Sequence, residues 1–268
     1  AGNLVADTTG GAFGPFEGQF MVAELTNGQI IRADFEEIDG TLQGACWQLR
    51  QRVGSAARIA FAPDGTLIVG MTNRGWGGLP PSDGIARVRW TGELPMEMER
   101  VHLLPDGFEV SFTKPLGEVP GVTAEWYDYD WWWEYGSPER NTTTMPLAGS
   151  SLSEDGLTMT IQLEGMVAGT CARVVLQDAV AADGTALLHD EFNYTINRLP
   201  GEAEGVIVPV AKQARPPVER GQRVEGWLYL MWGDSFELWD HRNIAVGNAE
   251  LDIENPTRFA MPPGGNWL

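Results

Sequence analysis

Apolar and polar positions alternate in short runs along most of this chain, and turn residues break the runs every dozen or so positions. Alternation at period two is the mark of a strand with one buried face, whereas a helix needs recurrence at 3.6. Gly18-Gln19-Phe20-Met21-Val22-Ala23 and Gly28-Gln29-Ile30-Ile31-Arg32-Ala33 read as one strand pair. Gly65-Thr66-Leu67-Ile68-Val69-Gly70 and Gly84-Ile85-Ala86-Arg87-Val88-Arg89 read as a second. In each pair the first strand leads into Thr-Asn, at Thr26-Asn27 and Thr72-Asn73. The copies begin at Gly18 and Gly65, a period of about 40–50 residues that matches the blades of a β-propeller. Ala62-Pro63-Asp64-Gly65 supplies turn chemistry before the second copy, and the Gly- and Pro-rich stretch from Arg74 to Asp83 reads as a loop.

From residue 99 the style changes. Phe108 to Phe112, Leu157 to Leu163, Cys171 to Leu176 and Phe192 to Asn197 are strand candidates, with turns at Pro105-Asp106-Gly107, Glu154-Asp155-Gly156 and Ala181-Ala182-Asp183-Gly184. Several short strands within about 100 residues predict an immunoglobulin-like sandwich. The Cys…Trp…Cys spacing of antibody domains is missing. After Pro200-Gly201 comes a segment rich in Pro, Gly and Trp, ending Met261-Pro262-Pro263-Gly264-Gly265-Asn266-Trp267-Leu268, which reads as an extended tail. The expectation is an all-β protein: two propeller-blade-like antiparallel repeats over 1–98, an immunoglobulin-like β-sandwich over 99–200, and an extended tail over 201–268. A closed propeller takes about 4–8 blades, so two repeats leave edges for another part of this chain, or another subunit, to cover.

Composition narrows the partners. The 268 residues hold 18 Lys+Arg and 37 Asp+Glu, a formal net charge of −19. Residues 100–200 carry 5 basic and 15 acidic groups, making the middle the most acidic part. Such a field repels phosphate backbones and anionic lipid heads, so nucleic acid and membrane surfaces are poor partners, and it also serves plain solubility. No apolar run reaches the length of a membrane span. The start at Ala1-Gly2-Asn3-Leu4 has no signal-peptide pattern and reads as mid-domain sequence, the expectation being a mature or truncated chain. Two cysteines, Cys46 and Cys171, fall in different predicted domains. They are expected as two buried thiols, with a single inter-domain disulfide the alternative.

Motifs with a chemical mechanism are scarce. His102, His189 and His241 have neither HxH nor HExxH spacing, and no CxxC, GxSxG, Walker loop or nicotinamide fingerprint occurs. The acidic pairs Asp128/Asp130 and Glu154/Asp155 offer oxygen ligands for calcium without EF-hand or RTX spacing. Asn141-Thr142-Thr143 and Asn193-Tyr194-Thr195 match the sequon and carry little meaning alone. Gly75-Trp76-Gly77-Gly78 follows no strand-to-helix pattern, and Arg74, Arg87 and Arg89 read as solvated or structural. No catalytic residue, metal ligand or cofactor is predicted. Aromatic residues are the exception. In the run from Trp126 to Tyr135, Trp131, Trp132 and Trp133 are adjacent, and consecutive strand residues face opposite sides, so all three cannot point inward. Trp131, Trp132, Trp133 and Tyr135, with Trp227, Trp232, Trp239 and Trp267 of the tail, are the predicted partner-contact residues.

Several of these stretches carry a family resemblance. Asp7-Thr8-Thr9-Gly10-Gly11, Phe13-Gly14-Pro15-Phe16, Gln43-Gly44-Ala45-Cys46, Thr72-Asn73-Arg74-Gly75-Trp76-Gly77, Arg89-Trp90-Thr91-Gly92 and Pro105-Asp106-Gly107-Phe108 come in order. Tyr135-Gly136-Ser137-Pro138-Glu139 and Ser153-Glu154-Asp155-Gly156 follow them. Over residues 3–200 the chain resembles secreted bacterial β-propeller proteins of the sorbosone-dehydrogenase-like or haem-binding-domain type, in their last blades and the sandwich that follows. The resemblance implies a periplasmic or extracellular protein. It leaves out the earlier blades and the cytochrome-like segments to which that family's redox chemistry is ascribed, and the last 68 residues have no counterpart in it. The expected function is a non-catalytic accessory subunit docked on other protein subunits of a larger, membrane-associated redox, photosynthetic or respiratory complex. The alternatives are the C-terminal portion of a propeller-type quinoprotein-like dehydrogenase and a carbohydrate-binding module.

Overall fold

The computed structural model describes residues 2–72, 78–129 and 138–201, together with the backbone of two strands at 227–230 and 236–239. Among them there is no helix, and every strand pairing given by register is antiparallel. The chain divides into two compact units, Ala1–Asp128 with Asn141–Ile207, and Tyr129–Arg140 with Val208–Leu268.

The first unit is organised by one long sheet. Its strands in chain order are β1 (Leu4–Ala6), β2 (Phe20–Glu24), β3 (Gln29–Ile38), β4 (Thr41–Arg50), β10 (Gly121–Asp128), β11 (Arg140–Thr144), β14 (Thr170–Gln177) and β15 (Glu191–Ile196). In space they run β1-β2-β3-β4-β15-β14-β10-β11. A three-stranded sheet is made by β5 (Ala56–Phe61), β6 (Leu67–Met71) and β7 (Gly84–Val88). A four-stranded sheet, ordered β12-β13-β9-β8, is made by β8 (Met98–Leu104), β9 (Gly107–Phe112), β12 (Leu147–Leu152) and β13 (Thr158–Leu163). In the second unit β16 (Trp227–Leu230) pairs with β17 (Phe236–Trp239).

Two apolar cores lie under one face of the long sheet. At one end Met21, Ala23 and Ile30 pack with Phe13 and Phe16 against Ile59, Leu67 and Val69 of the three-stranded sheet. At the other, Trp47, Ala172, Val174, Leu176, Phe192, Tyr194 and Ile196 meet Leu103, Phe108, Val110, Met159 and Ile161 of the four-stranded sheet. Phe108 stands edge-on to Phe192, ring centroids 5.4 Å apart. Alternation produces both cores directly, since Phe192, Tyr194 and Ile196 point in while Glu191, Asn193 and Thr195 point out. The long sheet continues past residue 98: Gly44, Ala45 and Cys46 of β4 pair with Thr195, Tyr194 and Asn193 of β15.

Asp64-Gly65 makes the turn before β6. Gly65 has φ of 77°, and a Cβ there would lie 2.5 Å from Ala12 Cβ, so both backbone angle and space require glycine. Cys46 and Cys171 share the outward face of the long sheet, on β4 and β14 with β15 between them. Two strand spacings amount to about 9.5 Å, beyond the roughly 7 Å over which two Cα atoms can be bridged. Both are thiols, as expected, but Cys46 is half-buried rather than buried, and an inter-domain disulfide is ruled out by this geometry.

Candidate partner-contact surface

The surface originates in the orientation of β3. From Ile31 to Glu36 its residues alternate apolar and charged, and the charged set is the one turned inward. Arg32 is fully buried, with its guanidinium between the Phe16 ring at 3.8 Å and the Trp47 ring at 4.3 Å. It sits where the two cores meet, and what lies opposite explains why. There β8 is the edge of the four-stranded sheet, with backbone groups that have no neighbouring strand. Arg32 donates to Met98 O at 2.6 Å, to Glu99 O at 3.0 Å and to Gln19 Oε1 at 2.8 Å, while Gln19 Nε2 also donates to Glu99 O at 2.7 Å.

The next two inward side chains continue the seam. Asp34 accepts from Arg100 Nη1 at both oxygens, at 3.1 and 3.0 Å. Glu36 Oε1 accepts from Leu103 N at 2.8 Å and from the Tyr194 hydroxyl at 2.5 Å, and its Oε2 meets His102 Nδ1. Burial lowers the Arg32 pKa to about 10, resisted by the nearby Glu97, Asp34 and Glu99. Burial likewise raises Asp34, against the pull of Arg100 and Arg32. Tyr194 is pushed up, first by burial and then by its bond to Glu36, so it stays a donor at any physiological pH. Glu97, also buried, accepts from Met98 N at 2.9 Å and lies 2.5 Å from His189 Nδ1. The arrangement stitches an edge strand with side chains and leaves two buried donors, Arg32 Nε and Trp47 Nε1, without a partner.

With Arg32, Asp34 and Glu36 turned inward, β3 presents Ile31, Ala33 and Phe35 outward, followed by the exposed Glu37, which stands opposite Leu42. Register places Leu4 and Val22 in line with Ile31, and Phe20 in line with Ala33 and Cys46. Phe20 packs edge-on against Phe35 at 5.2 Å. Leu4 is 49% exposed, Phe35 43% and Leu42 65%, with Phe20, Val22 and Ile31 half-buried beside them. Gly44 follows Phe35 in register, and a Cβ there would lie 2.0 Å from Asp34 O, so the close approach of the β3 backbone requires glycine beside the ring. Complete burial of a Leu or Phe is worth about 1.5–3 kcal/mol. Covering these half-exposed side chains is therefore worth roughly 1 kcal/mol each.

The outward face changes character across β15, β14 and β10. Arg173 pairs with Glu125, lies 3.8 Å from Glu191, and holds its guanidinium 5.0 Å from the centre of the Tyr127 ring. Cys46 sits at the border, its thiol pKa raised by burial and by the nearby Cys171 and Glu191.

The predicted contact residues distribute differently. Trp131, Trp132, Trp133, Tyr135, Trp232 and Trp267 lie outside the described residues. Trp227 and Trp239 are direct cross-strand partners on β16 and β17. Asp130 of one predicted acidic pair also lies outside the description, while Glu154 and Asp155 are exposed in the turn before β13. There Asp155 accepts from Ser153 Oγ and Leu157 N, which lower its pKa. Among the described residues no three His, Cys, Asp or Glu side chains converge as a metal site, and no helix is long and apolar enough to cross a membrane. Arg87 and Arg89 are exposed. Sequence reading missed Leu4, Phe20, Phe35 and Leu42. The signal was present in the alternation of β3, but alternation does not say which set faces inward. Compared with known proteins, the chain matches no family model, no curated protein and no solved structure.

Proposed function

We propose that this chain is a non-catalytic, extracytoplasmic accessory subunit that docks on a larger, membrane-associated protein complex, with the outward face of β1–β4 as a contact surface. One observation carries the reading: exposed apolar side chains lie adjacent across four strands of a chain of net charge −19, on a face from which Arg32, Asp34 and Glu36 of β3 are turned away. Monomeric surfaces seldom leave so many large apolar side chains adjacent and uncovered. Two further features support the family resemblance behind the cellular location. The β2–β4 and β5–β7 sheets face each other across an apolar core, as adjacent propeller blades do. The other core lies between two antiparallel sheets, as in an immunoglobulin-like sandwich.

The test is purification of the native protein in mild detergent, with identification of co-migrating subunits and an absorbance spectrum, run beside Leu42→Glu and Phe35→Glu. Stable co-migration that both substitutions abolish, with no cofactor absorbance, supports the docking subunit. A lone monomer carrying quinone or haem absorbance overturns it and restores the dehydrogenase alternative.

A further inference from the structure

Two antiparallel meanders share the smaller core, and one of them stops a strand short. β1, β2, β3 and β4 are neighbours in chain order and in space. β5, β6 and β7 repeat the arrangement, but after Val88 the chain leaves for β8, and no described strand takes the place that β4 takes beside β3. In the longer meander β4 pairs along the whole of β3 beyond Gln29 and brings Leu49 onto the shared core. In the shorter one Ala86 and Val88 are left half-buried at the margin of that core.

The ladder shows which backbone groups are open. Ala62 N donates to Thr66 O at the end of the β5–β6 pair, and bonded and unbonded pairs alternate along an antiparallel ladder. Across β5–β6 the bonded pairs are therefore Ala60 with Ile68 and Arg58 with Gly70. Leu67, Val69 and Met71 then bond to Val88, Ala86 and Gly84 of β7. That turns the N–H and C=O groups of Ile85 and Arg87 to the outer edge. The same alternation turns Ile59 out at the opposite edge of the sheet, and there it is met. Asn3 Nδ2 donates to Ile59 O at 2.9 Å, and Asn3 Oδ1 accepts from Ile59 N at 2.7 Å. A side chain thus closes the edge of β5, as Arg32 and Glu36 close that of β8. Ile85 and Arg87 have no such backbone partner among the described residues. Ile85 is also 77% exposed, the highest value among the large apolar side chains described.

We propose that β7 receives an extended segment of a partner protein as the missing fourth strand, paired antiparallel through the backbone of Ile85 and Arg87. The molecule holds its own template for that strand in β4. There Leu49 turns to the core and its neighbour Gln48 lies opposite Ile31 on the outward face. The incoming segment accordingly alternates, with apolar side chains beside Ala86 and Val88 and polar ones beside Ile85 and Arg87. Arg87 is exposed and has no ion pair among the described residues, so an acid opposite it is the complementary choice. A second copy of this chain fits less well, because two bodies of net charge −19 repel. The edges at β11 and β12 have no counterpart in the molecule to say what would lie there. This contact belongs to the three-stranded sheet rather than to β1–β4, and it shares with the docking reading only the premise of a protein partner.

The experiment is amide hydrogen exchange of the full chain, read by mass spectrometry of peptides spanning 84–88, in the assembly purified in mild detergent and again after dissociation. Exchange of the Ile85 and Arg87 amides is expected to be slower in the assembly by ~100-fold or more. Ile85→Pro deletes one outward donor without touching a β6–β7 bond, at a kind of edge position that accepts proline. It is expected to fold and to weaken co-migration with the partner by at least ~10-fold. Exchange at 84–88 that is equally fast in both states overturns the strand, and this readout on the unsubstituted chain decides should Ile85→Pro fail to fold. Protection that persists in the dissociated chain means that its own residues cover the edge, and protection that grows with its concentration means a second copy; each overturns the partner strand. Co-migration that Leu42→Glu abolishes and Ile85→Pro leaves intact overturns this contact alone, whereas a lone monomer with fast exchange at 84–88 overturns it together with the docking reading.

Discussion

The two faces of β3 are made from the same stretch of chain, yet they obey opposite rules. Inward, Arg32, Asp34 and Glu36 are buried or nearly so, and each is tied to groups of β8 or to residues beside it. Outward, Ile31, Ala33 and Phe35 lie in an apolar field that reaches Leu4 and Leu42. What decides a strand's polarity here is what stands opposite. Apolar side chains facing the open edge of β8 would have left Met98 O, Glu99 O and Leu103 N dry and unbonded, at about 1–3 kcal/mol each. Charged ones meet those groups at the cost of their own desolvation. The outward set has no such demand on it within the described residues, and its exposure is what the docking proposal explains.

The contrast can be broken most forcefully at Arg32. Arg32→Met keeps much of the side-chain volume but removes the guanidinium donor from Met98 O and Gln19 Oε1, leaves Glu99 O with Gln19 Nε2 alone, and leaves Asp34 and Glu97 less compensated. It is expected to cost about 3–5 kcal/mol, seen as a Tm fall of roughly 6–20 °C. A fall of a degree or two would mean that the seam is ornamental. Tyr194→Phe comes next. It removes a donor to the Glu36 carboxylate and the hydroxyl that Gln43 reaches at 3.3 Å, at about 1.5–3 kcal/mol by chemical denaturation.

Asp34 sharpens the comparison through pH. Its pKa is raised on folding above the ordinary 3.8, so the folded chain holds this proton when the unfolded chain has released it. Stability attributable to Asp34 is therefore greatest near and below pH 4 and declines as pH rises through the raised value. From pH 4 to 7 the denaturation midpoint of the protein should fall relative to that of Asp34→Asn, which cannot titrate; a relative rise reverses the sign. The smallest effect belongs to the outer face. Leu42→Glu should move stability by no more than about 0.5 kcal/mol, while reducing binding of a hydrophobic dye such as ANS. A large loss of stability would make Leu42 part of the core rather than a contact residue.

Strand locations were largely legible. Runs such as 157–163 and 171–176 fall on β13 and β14, because one face of each is buried against an apolar neighbour and the period-two pattern is intact. The polarity of β3 was not legible, since it depends on an edge strand about 65 residues away in sequence. Trp126 and Tyr127, the first members of the aromatic run, are ordinary sheet residues. Trp126 packs on the larger core, and Tyr127 lies beneath Arg173.

One pairing described above also sets a clock. Cys46 of β4 lies opposite Asn193 of β15, its neighbour in the sheet but 147 positions later in the chain. At about 5–20 residues per second, a ribosome takes roughly 7–30 s to deliver the second strand after the first. Throughout that interval β4 has β3 on one side and an open hydrogen-bonding edge on the other, next to the apolar face of β1–β4. Nascent chains caught at that stage are the form most exposed to pairing with the wrong neighbour, and the demand for a chaperone should fall sharply once residue 196 has left the exit tunnel.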